Sequence, residues 1–212
     1  MQILEPPVAT NPPRDPPVRH LDASLALALM DAIECGLIAC TADASVIHAN
    51  RAAAREAASG QVLHIDDARL RADGSSDGSL RAAIGEAAWR GVRRLLWLGE
   101  GEARLMVATM PIGLATGGQA ASVLVLLGRR TLCTPLGLEM LALRHQLTLA
   151  EKRVLNGLID TREPRQIACD HGVRLSTVRT QIQAIRDKVG ARNIDELLLR
   201  VAQVPAMATS VT

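Results

Sequence analysis

The chain contains no phenylalanine and no tyrosine, and only two tryptophans, Trp89 and Trp97. Hydrophobic residues still make up 48% of it, so any core has to be packed from Leu, Val, Ile, Ala and Met. Long apolar runs are also missing. The longest candidates, Leu25–Met30 and Ala120–Leu127, fall far short of the ~20 residues that a membrane-crossing helix needs, and no membrane partner is expected. The first residues lack a basic stretch followed by an apolar one, which points away from secretion and towards the cytoplasm. Cys35, Cys40, Cys133 and Cys169 share no C-x-x-C spacing, so neither a zinc site nor a disulfide framework is indicated. Cys169-Asp170-His171 would point in different directions from one short helix and make no metal site.

Proline is distributed unevenly: six of the ten fall in residues 1–18, which read as a disordered tail. The remainder of the 212 residues is enough for two small domains, each with its own core. The strongest local pattern lies near the end. Arg165-Gln166-Ile167-Ala168-Cys169-Asp170-His171-Gly172-Val173, then Ser176-Thr177-Val178-Arg179-Thr180-Gln181-Ile182, read as two short helices around a glycine-containing turn. Ile167, Val173, Val178, Ile182, Ile185 and Val189 form one apolar stripe, the last four spaced i, i+4, i+7 and i+11. Ala168 is small where the helices would cross, and Gly172 falls where the first helix must stop with positive φ. Ser176 or Thr177 is expected to cap the second helix and offer backbone N–H groups to a phosphate.

With the stripe turned inward, Arg179, Thr180, Gln183 and Arg186 project outward together. These side chains can hydrogen-bond base edges, arginine bidentately to guanine. The pattern is a helix-turn-helix, and double-stranded DNA is the expected partner. Charge agrees with this: residues 172–192 hold five Lys/Arg against one Asp/Glu, although the whole chain is only +2. Concentrated positive charge is what counterion release from DNA requires.

Leu147-Thr148, Ala150-Glu151, Val154-Leu155, Ile167-Ala168, Gly172-Val173, Thr177-Val178-Arg179-Thr180, Ile185, Lys188-Val189-Gly190 and Arg192 resemble the LuxR-type helix-turn-helix, a four-helix DNA-binding domain of bacterial transcription regulators. The resemblance spans residues 147–205. It implies a first helix starting near Thr148, base reading by Arg179, Thr180 and Gln183, phosphate contacts by Thr177 and Lys188, and a fourth helix that often dimerises. Departures from the family pattern are Thr161 where glycine is usual, Glu163-Pro164 in place of Ser/Thr-Asn, Gln181 for histidine and Arg153 for glutamate. The first two bear on phosphate contacts near residues 161–166.

Upstream, residues 21–33 have a helical pattern. Gly36–Thr41 and Val46–Ala49 read as strands, Arg51–Ser59 as a helix stopped by Gly60, and Ser79–Arg90 as another helix. Gln61–Ile65 is a short extended piece followed by a polar loop. Three strands follow at Val92–Leu98, Ala103–Pro111 and Ala120–Leu127. This order, with Gly36-Leu37-Ile38, Asp43, Val46 and Ala49-Asn50-Arg51-Ala52-Ala53, is similar to a PAS sensory domain, which commonly carries asparagine after its second strand. No lysine occurs before Lys152, which speaks against a phosphorylatable receiver. The scarcity of aromatics speaks against an acyl-homoserine-lactone pocket. The ligand or cofactor of the PAS-like domain is unknown from sequence; Trp97, Met106 and Met110 are candidates for lining a pocket or filling the core.

Gly74-Ser75-Ser76-Asp77-Gly78 formally matches the G-x-S-x-G nucleophile elbow. The residues before it are mostly polar, so the segment reads as a loop with Ser76, Asp77 or Ser79 capping the next helix, and the chain is not expected to be an enzyme. The organisation read from sequence is therefore a tail at 1–18, an α+β PAS-like domain with a five-stranded antiparallel sheet at 19–130, and a linker helix within 131–146. An all-α helix-turn-helix domain at 147–205 and a tail at 206–212 complete it. The expected role is a cytoplasmic, homodimeric, sequence-specific transcription regulator whose first domain senses a small-molecule signal or holds the dimer. Leu138, Leu141, Leu143, Leu197, Leu198 and Val201 are expected to be partly surplus to the core and to serve dimerisation. The alternative is a scaffold whose C-terminal helices bind protein rather than DNA.

Overall fold

The computed structural model describes residues 22–114 and 120–208, so the proline-rich tail lies outside the described residues. Helix α1 (Ala23–Asp31) opens where the Asp22 side chain accepts from the Ser24 N–H. It is apolar nearly all round, yet none of its residues is buried. Strands β1 (Leu37–Cys40) and β2 (Val46–Ala49) form a hairpin and lead into α2 (Arg51–Ser59), which Gly60 ends in the left-handed region.

The segment read as an extended piece and polar loop is instead a second hairpin, β3 (Leu63–Asp66) and β4 (Arg69–Ala72). Its inward residues Leu63, Leu70 and Ala72 join the core, while Arg69 and Arg71 face solvent. Helix α3 (Ser76–Arg90) starts three residues earlier than the sequence suggests and stops at left-handed Gly91. Then come β5 (Arg94–Leu98), a 3₁₀ turn at Gly101–Ala103, β6 (Leu105–Leu114) and β7 (Ala120–Leu127).

The main sheet has five strands in the order β2-β1-β7-β6-β5, antiparallel throughout. Alternation puts Ile38 and Cys40 of β1, Val107 of β6, and Val123, Val125 and Leu127 of β7 on one face. There they meet α3 and the small hairpin in an aliphatic core that includes Leu63, Leu80, Ile84 and Leu98. The architecture is that of the expected α+β PAS-like domain.

Asn50 holds the entrance of this domain together. Fully buried, it donates to the carbonyls of Met30 (2.9 Å), Ile33 (3.5 Å) and Cys35 (2.9 Å). Its Oδ1 accepts from the N–H groups of Leu37 (2.9 Å) and Ala53 (3.0 Å). One side chain thereby fixes the elbow between α1 and β1, aligns β1 and caps α2.

Trp97, Met106 and Met110 fill no core. They lie on the opposite face of the sheet, where Trp97 is 51% exposed and the Arg104 guanidinium sits 4.6 Å from its ring centre. The strand period of two decides this, because Leu96, Leu98, Leu105, Val107 and Thr109 take the inward positions.

The second half is helical: α4 (Pro135–Arg144), α5 (Leu149–Ile159), α6 (Pro164–Asp170), α7 (Leu175–Val189) and α8 (Ile194–Ala202). Helix α4 begins at the Thr134 cap and packs on α5, so Cys133 and Leu138 belong to the same core as Leu155, Ile167, Ile185 and Leu197. The shared helical core takes up most of the apolar residues expected to be surplus. Leu138, Leu197 and Val201 are buried, Leu141 and Leu198 pack against the core, and Leu143 alone of the six is open, at 77% exposure.

Candidate nucleic-acid interface

Helix α5 starts with a reciprocal cap: Thr148 Oγ1 accepts from the Glu151 N–H and Glu151 Oε2 accepts from the Thr148 N–H. It ends with Thr161 at φ 59°, the Thr161 N–H donating to Leu158 O and the Arg162 N–H to Gly157 O. The left-handed position that usually takes glycine is thus kept, with threonine bearing the local strain. Gly157 is the point of closest approach to α6, because a Cβ there would lie 2.8 Å from Ile167.

Helix α6 begins at Pro164, a residue pre-set for a helix start, with the Glu163 N–H donating to Gln166 Oε1 at 2.8 Å. It stops at His171, after which Gly172 takes φ 64° and the Val173 N–H donates to Ala168 O. Val173 itself lies beyond the stop and is 41% exposed, so it leaves the apolar stripe expected of it. Ile167, Ala168, Val178, Ile182, Ile185 and Val189 are all buried, and α6 and α7 pack through them.

Helix α7 is capped by Arg174, with no side-chain hydrogen bond into its first turn. The expected capping by Ser176 or Thr177 does not occur. Both sit inside the first turn and are exposed, the chain having entered the helix two residues earlier. The first-turn N–H groups therefore have no side-chain acceptor, and a helix N-terminus in that condition favours an anion.

Arg179, Thr180 and Gln183 are exposed on the face of α7 opposite its buried stripe. Arg179 has no ion pair or hydrogen bond among the described residues. Thr180 Oγ1 donates to Ser176 O at 3.0 Å. Arg186, half-buried, donates from Nη1 to Gln183 Oε1 at 3.1 Å, and Gln183 Nε2 donates to Asp187 Oδ1 at 2.8 Å. The far end of α7 is braced by α8: Arg200 donates to Val189 O at 2.8 Å and pairs with Glu196, which also receives Arg192. The Arg192 side chain and N–H, together with Arg200, pull the Glu196 carboxyl down to about 2.

Lys188 has a partner that spacing alone did not reveal. Its ammonium lies 2.6 Å from Glu151 Oε2 and 3.1 Å from Gln146 O, tying α7 to the cap of α5. Burial pushes the Glu151 carboxyl up, but hydrogen bonds from Lys188 and Thr148 outweigh it and hold the group below its ordinary value. Two cations escaped the sequence reading. Arg165 and Arg174 are exposed at the starts of α6 and α7, without an ion pair among the described residues. Their positions just inside one helix start and at the other were the signal available for finding them.

The G-x-S-x-G segment opens α3 instead of following a buried apolar strand. Ser76 Oγ accepts from the Gly99 N–H at 2.9 Å and Asp77 Oδ1 from the Ala72 N–H at 3.2 Å. None of Ser76, Asp77 and Ser79 caps the helix: Ser75 holds the cap position, and the Ser76 and Asp77 oxygens accept instead from N–H groups at the ends of β5 and β4. No described helix is long and apolar enough to cross a membrane, and no cluster of three metal-ligating side chains occurs among the described residues.

No family model matches the chain, and no curated protein matches it. Among solved structures it is similar to the VqmA–ligand–DNA complex of Vibrio cholerae, at 18% identity over 88% of this chain and 92% of that one, with a TM-score of 0.36. It is also similar to VqmA bound to DPO, at 17% identity over 83% and 89% of the two chains with a TM-score of 0.33. A phage VqmA–DPO complex matches at 16% identity over 82% and 84%, with a TM-score of 0.32.

Proposed function

We propose that the chain is a sequence-specific DNA-binding transcription regulator of the LuxR-type helix-turn-helix kind, acting in the cytoplasm as a homodimer. The observation that carries this reading is the division of α7 into a buried apolar face and an exposed face bearing Arg179, Thr180 and Gln183. Arg179 reads a base edge, with Thr180 and Gln183 beside it, and Arg186 orients Gln183 from behind. Ser176, Thr177 and the open first turn of α7 take a phosphate, and Lys188 at the other end of the helix takes another. The PAS-like domain receives a small-molecule signal or holds the dimer. A dimer supplies two recognition helices to a pseudo-palindromic site, which one small domain would bind weakly.

The test is selection of the tightest duplex from a random pool by the full chain, followed by binding across a salt series. DNA recognition gives a steep loss of affinity with salt; a protein-binding scaffold gives no retained duplex. Arg179→Ala is expected to weaken the selected site by ~1–3 kcal/mol and to relax base choice at the position beneath it. Unchanged affinity and selectivity in that variant would remove α7 as the reading element. Sedimentation on the selected duplex is expected to find two chains per site.

A further inference from the structure

The two cores are separate, yet among the described residues the chain joins their domains twice. The first join is covalent, through Gly128–Thr134 between β7 and α4. The second is made after α8, where the chain turns back and pairs with the elbow between α1 and β1. The Glu34 N–H donates to Ala206 O at 2.9 Å, the Ala208 N–H donates to Ala32 O at 3.0 Å, and Ile33 faces Met207 in an antiparallel bridge. Ala208 is 9% exposed.

Both ends of this second join are anchored. On the first domain, the elbow is held from behind by Asn50, which grips the carbonyls of Met30, Ile33 and Cys35. On the helical side, Val204 lies against the first turn of α4, where a Cβ on Gly137 would stand 3.0 Å from both Val204 Cγ1 and Cys133 Sγ. The returning segment thus spans from the α4–α8 end of the helical domain to a rigid edge of the PAS-like domain. It leaves the exposed face of α7 uncovered, so its effect falls on orientation and not on access.

We propose that Pro205–Ala208 is an intrachain latch that sets the angle of the helix-turn-helix against the PAS-like domain, with the Asn50-held elbow as its receiver. Resting on the function proposed above, the latch presents the two recognition helices of a dimer at one fixed spacing. With the covalent join alone the angle would rest on Thr131, between Arg130 held by Glu56 and Ala103 O and Leu132 packed on the helical core, and a spread of angles would dilute the second binding event. Any signal that moves the α1–β1 elbow then reaches DNA through the latch.

The experiment compares the full chain with a truncation after Pro205 and with Ala208→Pro, which removes the N–H that donates to Ala32 and restricts the backbone at Met207. Val204 and every buried residue of the helical core stay in place in both, and a circular dichroism melt checks that they do. Small-angle scattering is expected to show a larger maximum dimension for both variants. Binding to a duplex carrying one half-site should stay within about twofold, while binding to the paired site should fall by about tenfold or more and tolerate altered spacing. Scattering curves that superimpose on that of the full chain would overturn the latch. So would paired-site affinity and spacing preference unchanged in both variants. Absence of DNA binding by the full chain would overturn the function instead, and the scattering would still decide the latch.

Discussion

Replacing Lys188 by alanine separates the two duties placed on that residue. In the structure its ammonium is 2.6 Å from a Glu151 carboxylate that also closes the cap of α5. The Glu151 side chain is 9% exposed and that of Lys188 34%. Fully buried pairs cost about 3–5 kcal/mol when one partner is removed. Here water still reaches the ammonium, so the loss falls to ~1–3 kcal/mol, the range for a charged hydrogen bond at a part-buried site. For a domain of this size each kcal/mol lowers the melting temperature by roughly 4–8 °C.

The assay uses the placement of the aromatics. Both tryptophans lie in the PAS-like domain, so their fluorescence follows that domain while far-ultraviolet circular dichroism also follows the helical one. The variant should lose helical signal earlier on heating and leave the tryptophan transition in place. Acid sharpens the test. A carboxylate held below its ordinary pKa adds stability above the unfolded value of about 4.3 and loses it as pH falls through the folded value. Without Lys188 the upward push of burial on Glu151 remains while its strongest opponent is gone. Acid unfolding of the variant should therefore begin at higher pH. Below the melt, a phosphate contact by Lys188 would make itself felt as a salt slope smaller by about one for every sequence. A variant with the same heat and acid transitions as the parent would refute the bracing of α5 by α7.

Ala168→Leu should overpack the α6–α7 crossing and cost roughly 1–3 kcal/mol, read as an earlier helical transition; an unaltered melt would mean the helices do not meet there. Asn50→Ala should orphan Leu37 and Ala53 N–H groups and three carbonyls at once, lowering the tryptophan transition by the equivalent of more than about 2 kcal/mol. A loss of a few tenths would show that water takes over those bonds.

Much of the helical domain was legible because its signals are local. Thr148 with Glu151, Pro164, Gly172 and Gly190 mark helix ends in a way that needs no tertiary partner. The asparagine after β2 was visible as a resemblance, but its five bonds reach to residues 20 positions away and could not be. The β3–β4 hairpin was missed because Asp67 and Ala68 supply its two positive φ angles, 47° and 59°, where glycine or asparagine would have announced the turn. Lys188 read as a surface cation because Glu151 is 37 residues away in sequence. The surplus leucines were misread since nothing in α4 itself says that it packs on α5. The exposure of Arg179, Thr180 and Gln183 follows from helical period alone, once the buried stripe is fixed.

The strand order sets a timetable for synthesis. Strand β1 has β2 on one side and β7, the last strand made, on the other. As the chain leaves the ribosome, Leu37–Cys40 waits with one row of backbone groups unpaired until Val123–Leu126 arrives. Most packing in the helical domain joins helices nearer in sequence, α5 to α7 and α6 to α7. A stall or cut before Ala120 would leave both β1 and β6 with open edges, the condition in which nascent chains pair with one another.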